Sequence, residues 1–183
     1  MTTNRIQLGL CCLNTVLRDP EKLPGQKKKP DPIFMSRSMI QKTMEEPNGI
    51  DIAKQRSFQN IKDIKTMIDW NLENHINVMR LSSNIFPHLS NWKMTKAETL
   101  VDPDEFSDYQ SLEWCRKELE DVGAYARSVN HRLTFHPGQY NQVGAKTRDV
   151  YEKTILDLGL HAKIFDIMGM GKDSIMVIHG GGV

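Results

Sequence analysis

Apolar residues in this chain follow two rhythms: short β-branched runs, and longer stretches spaced by three and four. The run Ile6-Gln7-Leu8-Gly9-Leu10-Cys11-Cys12-Leu13 reads as a buried strand with Asn14 at its end. Phe58, Ile61, Ile64, Ile68 and Leu72 recur at helical steps and predict a helix over 52–74 with one apolar face. A second strand is predicted at 77–82. Leu112, Cys115, Leu119, Val122 and Ala126 mark a second amphipathic helix, and 132–135 a third strand. Tyr151, Ile155, Leu158, Ala162 and Phe165 mark a third helix. Gly169, Gly171 and Asp173 then turn the chain into a fourth strand at 174–178. A short helix is expected over 36–44, broken by Pro47-Asn48-Gly49. Two stretches read as loops: 19–33, with Pro20, Pro24, Gly25, Pro30 and Pro32, and 83–108, with Pro87, Pro103 and the acidic patch Asp102, Asp104, Glu105.

The predicted order is β-α-β-α-β-α-β, which implies parallel strands joined by right-handed crossovers. Four strands and three to four helices make half of an eight-fold (β/α) barrel; an open, doubly wound four-stranded sheet is the alternative. Residues 1–183 read as one portion of a single domain, with no solenoid-period repeat and no low-complexity segment. In either fold, functional residues gather at the C-terminal ends of the strands.

Two of those ends carry the same signal. Thr134-Phe135-His136-Pro137-Gly138-Gln139-Tyr140-Asn141 and Val177-Ile178-His179-Gly180-Gly181-Gly182 each end an apolar run on a histidine and turn at once on Pro or Gly. Such strands deliver imidazoles to the rim of a sheet, which suits a metal or phosphate site at the mouth of a barrel. For each histidine alone, a hydrogen-bonded buried ring is the ordinary reading. None of the four strand ends carries Asp or Glu; they offer Asn14, Ser82, Ser83, Asn84, His136 and His179. A phosphoryl-transfer site with several cations needs carboxylates, so this chain alone would leave it under-ligated. His88 and Asn91 lie in the loop after the second strand, where either could face the site or solvent. His75, His131 and His161 are assigned to structure or solvent. On the exposed turn after Gly138, Gln139 has both donor and acceptor for a base edge, and Tyr140 has a ring to stack or to fill a gap.

Composition changes the picture little. The chain has 183 residues, 39% hydrophobic and 26% charged, and a net charge of +1, which does not demand nucleic acid. Lys22, Lys27, Lys28 and Lys29, followed by Arg37 and Lys42, make the 19–33 loop and its exit locally basic. Such a run is most often a solvated loop, with DNA contact as the second reading. No apolar run approaches the ~20 residues that span a bilayer. Met1-Thr2-Thr3-Asn4-Arg5 leads into the first strand with no secretory pattern, so an intracellular protein is expected. Three cysteines, two of them adjacent and facing opposite sides of a strand, read as free thiols.

These segments together resemble the UV-damage endonuclease family. The resemblance rests on Leu8-Gly9, Cys12 and Asn14; on Arg80-Leu81-Ser82-Ser83-Asn84-Ile85-Phe86-Pro87; on His131-Arg132-Leu133 with His136-Pro137-Gly138-Gln139-Tyr140; and on Ile178-His179-Gly180-Gly181. All stand in family order. The resemblance implies a TIM barrel that incises double-stranded DNA on the 5′ side of UV photoproducts with a cluster of divalent metals, most often Mn2+, with Zn2+ or Mg2+ as alternatives. It assigns His136 and His179 to metal, Gln139 and Tyr140 to probing the duplex at the lesion, and Asn14 to the damaged nucleotides; Arg37, in the basic exit of the loop, is placed with the DNA contacts. A further family metal histidine falls at Asn91 here, a weak ligand, which leaves His88 as the neighbouring imidazole. Leu10 stands where the family often has an aromatic residue. Family members continue through about four more strand-helix units that supply Asp, Glu, His and Lys. The resemblance is thus to an N-terminal half. A non-catalytic or split chain needing a C-terminal partner, and another metal-dependent barrel enzyme such as an abasic-site nuclease or sugar isomerase, are the competing expectations.

Overall fold

Three parallel strands frame the molecule: β1 (Gly9–Cys11), β2 (Val78–Ser82) and β3 (Arg132–His136), paired in the order β1-β2-β3. The computed structural model describes residues 6–34, 36–95, 99–172 and 174–180. Register sets Cys11 beside Arg80, and Ser82 beside His136. Side chains alternate along each strand. Met79, Leu81, Leu133 and Phe135 are buried, whereas Val78, Arg80, Ser82, Arg132, Thr134 and His136 remain partly exposed on the opposite face. The buried set joins a core with Ile61, Ile64 and Ile68 of α3 (Gly49–Glu73), Leu119, Val122 and Ala126 of α5 (Arg116–Ser128), and Ile164 and Phe165 of α6 (Arg148–Ile167). Close approach of α5 to the end of α6 requires Gly123, because a Cβ there would lie 1.9 Å from the Met168 carbonyl oxygen.

Each long helix hands over to the next strand segment through the same turn. After α3, His75 takes φ 59° and Ile76 N–H donates back to the Asn71 carbonyl at 2.8 Å. After α5, Asn130 takes φ 52° and His131 N–H donates to Ala126 at 2.8 Å; after α6, Gly169 takes φ 64° and Met170 N–H donates to Phe165 at 3.0 Å. This left-handed cap satisfies carbonyls that a helix end otherwise leaves unpaired. Its repetition is the structural form of the β-α-β alternation read from the sequence.

The sequence expectations need four corrections. The predicted strand at 174–178 is reduced among the described residues to isolated parallel bridges, Phe135 with Met176 and Gln142 with His179. Its backbone hydrogen-bonds to β3 on one side, through Phe135 N–H to Ile175 and Val177 N–H to Phe135, both 3.0 Å, and a ladder this short does not make a strand. The first strand shrinks from 6–13 to three residues. The expected helix at 36–44 is a single turn, α2 (Gln41–Met44). The 83–108 stretch contains a helix, α4 (Pro103–Ser111), besides a 3-10 turn at Trp92–Thr95. Its acidic patch is a helix start: Asp102 accepts from the Asp104 and Glu105 N–H groups at 2.9 and 3.0 Å, and Pro103 opens the first turn. A further single turn, α1 (Thr15–Arg18), follows β1. Asp173 and the expected Gly181-Gly182 turn lie outside the described residues, as do residues 1–5.

His131, at the start of β3, is 4% exposed and its Nε2 lies 3.2 Å from the Asn71 side-chain nitrogen. Burial disfavours its protonated form and pushes its pKa down to about 4. In the unfolded chain the ring takes up a proton near pH 6.5, so the unfolded state binds more protons as pH falls below that value. Stability is therefore expected to be undiminished by this group above pH 7 and to fall by about 3 kcal/mol between pH 6.5 and 4. Urea unfolding midpoints across that range check this. His131→Gln should flatten that part of the profile, and an unchanged acid slope would contradict the assignment.

Candidate functional site

β3 ends on His136 with its side chain on the partly open face, and the chain pairs again at Gln142 with His179. These two constraints bring the imidazoles together: His136 Nε2 and His179 Nε2 are 3.1 Å apart, with ring centroids separated by 5.2 Å and planes tilted by 54°. One ring must supply the N–H and the other the lone pair for this to be a hydrogen bond. Two imidazole nitrogens ligating one cation at 2.0–2.1 Å also lie about 2.9–3.4 Å apart, so the Nε2 separation is also the one that a shared divalent ion would set. Burial, then Arg80 and His179, holds the His136 pKa below the usual histidine range. That favours the neutral ring, the form that ligates metals. Arg80 has a side-chain nitrogen 3.0 Å from Cys11 Sγ across β1 and β2. Among the described residues, no third His, Cys, Asp or Glu joins the pair in a possible metal cluster.

The other sequence candidates are placed as follows. Gln139 and Tyr140 are exposed at the tip of the loop after β3, Tyr140 by 80%. Asn14 is 3% exposed and caps α1: its Oδ1 accepts from the Val16 and Leu17 N–H groups, both at 3.0 Å, while its buried Nδ2 has no protein partner. Arg37 pairs with Asp63 of α3, donates to the Phe34 carbonyl at 3.1 Å and lies over the Phe34 ring, fastening the exit of the 19–33 loop to α3. His88 Nε2–H donates to the Met39 carbonyl at 2.8 Å and its Nδ1 accepts from Asn91 Nδ2 at 3.2 Å, so both ring nitrogens are occupied within the loop. His88 and Asn91 hold each other, and His88 does not join the His136–His179 group.

A cavity of about 450 Å³ lies between the loop after β2 and the loop after β3, walled by α6. Ile85, Phe86, Leu160 and Ile164 make its apolar wall, and His88, Asn91, Tyr140 and Asn141 reach it from the two loops. Tyr109 braces the first loop from behind: its hydroxyl donates to the Pro87 carbonyl at 2.9 Å and its ring stacks on Trp114. Sequence reading missed the α6 residues that grip the second loop, Thr154 and Asp157, and assigned His161 to structure without seeing its partners. The available signal was a polar stripe at i, i+3 and i+7 crossing an otherwise apolar helix face.

A parallel α/β unit that gathers two imidazoles and an exposed polar-aromatic loop at its strand ends defines a class: strand-tip sites on (β/α) scaffolds. The chain belongs to the UV-endonuclease family, since the family model described as UV-endonuclease UvdE matches residues 6–183. It is 35% identical to a putative UV-damage endonuclease of Acanthamoeba polyphaga mimivirus over all of this chain and 49% of that protein. It is 34% identical to the UV-damage endonuclease of Schizosaccharomyces pombe, over 97% of this chain and 26% of that one. The crystal structure of SacUVDE superposes with a TM-score of 0.71 at 22% identity, covering 97% of this chain and 50% of that chain, which shows a shared fold. The chain thus spans half or less of the length of these relatives.

The capping role of Asn14 can be tested by substitution. Asn14→Ala should lower stability by about 1 kcal/mol through loss of the cap, while Asn14→Ser keeps a neutral oxygen acceptor and should stay within about 0.5 kcal/mol of the parent. Thermal or urea unfolding of both variants checks this, and equal losses would contradict the cap assignment.

Proposed function

We propose that this chain is the metal-binding and lesion-probing half of a DNA repair endonuclease that incises the backbone 5′ to UV photoproducts. The observation that carries the proposal is the 3.1 Å approach of His136 Nε2, at the end of β3, to His179 Nε2, in the bridged segment beside it. In this reading those two nitrogens hold a divalent cation, Mn2+ in preference to the harder Mg2+ because the ligands are imidazoles, with Zn2+ also suited. When bound, the cation supplies electrostatic stabilisation of charge on the scissile phosphate. Gln139 and Tyr140 enter the duplex at the damaged step, where weakened stacking lowers the cost of exposing the bases. Asn14 keeps its unpartnered Nδ2 buried, so in this reading it meets a neighbouring nucleotide only once the turn after β1 opens. Arg37 borders the basic loop that follows the phosphates; its contact with Asp63 leaves it partly exposed for that role. His88 and Asn91 would have to release each other before either could ligate.

The catalytic unit in this proposal is a closed eight-stranded barrel. Edges at β1 and at 174–179 that are unpaired among the described residues, with Ile6, Leu8, Ile175, Val177 and Ile178 exposed along them, are surfaces that further strand-helix units would cover. Those units would bring the carboxylates missing from the His136–His179 pair. A second reading, in which this chain is non-catalytic unless joined by a C-terminal partner, is favoured by that same lack of a third ligand among the described residues. Among the described residues no helix is long and apolar enough to cross a membrane.

Nicking of UV-irradiated supercoiled plasmid tests both readings. The chain alone with Mn2+ should leave the plasmid intact, and a barrel completed with the remaining units of the mimivirus relative should nick it. His136→Ala or His179→Ala in the completed barrel should cost more than about 100-fold, beyond the 10- to 100-fold typical of removing an outer-shell partner of a metal ligand. Full nicking by both single variants would overturn the metal assignment, and nicking by the chain alone would overturn the need for a second half.

A further inference from the structure

The loop that carries Gln139 and Tyr140 is held at both ends by one stripe of α6. At its exit, Asn141 Nδ2 donates to Asp157 Oδ2 at 2.6 Å, and the Gln142 N–H donates to Thr154 Oγ1 at 3.0 Å. Thr154 is buried and returns its own proton to the Val150 carbonyl at 2.9 Å, so its hydroxyl is fixed in the acceptor orientation the loop needs. At the entrance, the His161 ring packs edge-on against Phe135, the residue before His136, with centroids 4.9 Å apart. His161 is 4% exposed, and its Nδ1 faces only acceptors, the Asp157 carbonyl oxygen at 2.7 Å and Asp157 Oδ2 at 3.3 Å. The proton therefore sits on Nδ1, and the ring cannot rotate without breaking both contacts. Thr154, Asp157 and His161 stand at i, i+3 and i+7, on one face of the helix. Only the short turn closed by Asn141 N–H to the Gly138 carbonyl, 3.0 Å, lies between the two grips.

We infer that Thr154, Asp157 and His161 form a clamp that fixes the 137–142 loop against α6, with Asp157 the positioning residue at its centre because its carboxylate meets both Asn141 and His161. The clamp has a second consequence. Gln142 is also bridged to His179, so the same grip that sets the tip sets the second imidazole of the histidine pair. An exposed Tyr and Gln that are to insert into a duplex lose less conformational freedom on binding when their loop is already fixed. The clamp thereby deepens the proposed probing role and rests on it for its function, though not for its geometry.

Two variants test it on the full chain. Asp157→Ala removes the central carboxylate. Asn141→Asp leaves α6 untouched and sets two carboxylates against each other, so a folding defect in the first variant does not decide the matter. Amide hydrogen exchange at Gln142 should quicken by about tenfold or more in both, with amides of α3 and α5 unchanged, and Asp157→Asn should recover part of the protection. Binding to UV-irradiated over intact duplex should lose about tenfold in preference in both, and in Asp157→Ala, which adds no negative charge, affinity for intact duplex should hold, a split that general loosening of the fold would not give. Unchanged exchange at Gln142 in both variants overturns the clamp. Faster exchange with unchanged lesion preference keeps the clamp and overturns the probing role of the loop.

Discussion

The parallel pairing of β2 with β3, in register from Val78–Arg132 to Ser82–His136, is the constraint on which the rest depends. Because side chains alternate, that register sends Met79, Leu81, Leu133 and Phe135 into the helices and His136 onto the other face. A slip of one residue would exchange the two sets, exposing the core and burying the imidazole. Packing and site geometry are therefore set by one choice. His179 inherits its place from the same sheet, since the 175–177 backbone hydrogen-bonds to β3 and Gln142 bridges to His179.

The two faces of this sheet are unlike. One is closed by α3, α5 and α6 with apolar side chains. The other presents Arg80, Arg132, Thr134 and two histidines, with no described acid joining the imidazole pair. Apolar residues are exposed along both edges of the sheet. The chain covers 50% of SacUVDE, and in the proposed closed barrel this polar face would be interior. In the proposed barrel the labour would divide: these units would bring imidazoles and a fixed loop, and the covering units negative charge.

Much of the fold was legible because α3, α5 and α6 are long enough for their apolar period to stand out, and because Gly169 and the histidine-ended runs punctuate the chain. Where legibility failed, the elements were short or depended on tertiary support. α4 has only Phe106 and Tyr109 buried, and its signature was the Asp102-Pro103 start, which read instead as surface charge. The strand at 174–178 had the right composition, but pairing depends on neighbours that no local pattern specifies. At the site, strand-end histidines could be named from sequence, since strand and turn together fix where such a side chain goes. Occupied groups could not: the partners of His88, Arg37 and Asn14 come from 49, 26 and two residues away, and only the fold brings the first two together. The α6 clamp was hidden for the same reason, because Asp157 acquires its meaning from Asn141 across a loop.

The central claim is that His136 and His179 hold one divalent cation between their Nε2 atoms. Titrating Mn2+ into chain labelled with 15N at histidine, and following paramagnetic broadening of the six ring signals, tests it most directly. The account predicts that the His136 and His179 signals broaden together and most strongly, at a single stoichiometric equivalent, with those of His131 and His161 broadened less, in order of distance. Broadening centred on His88 or His75, or none at the paired rings, would contradict it.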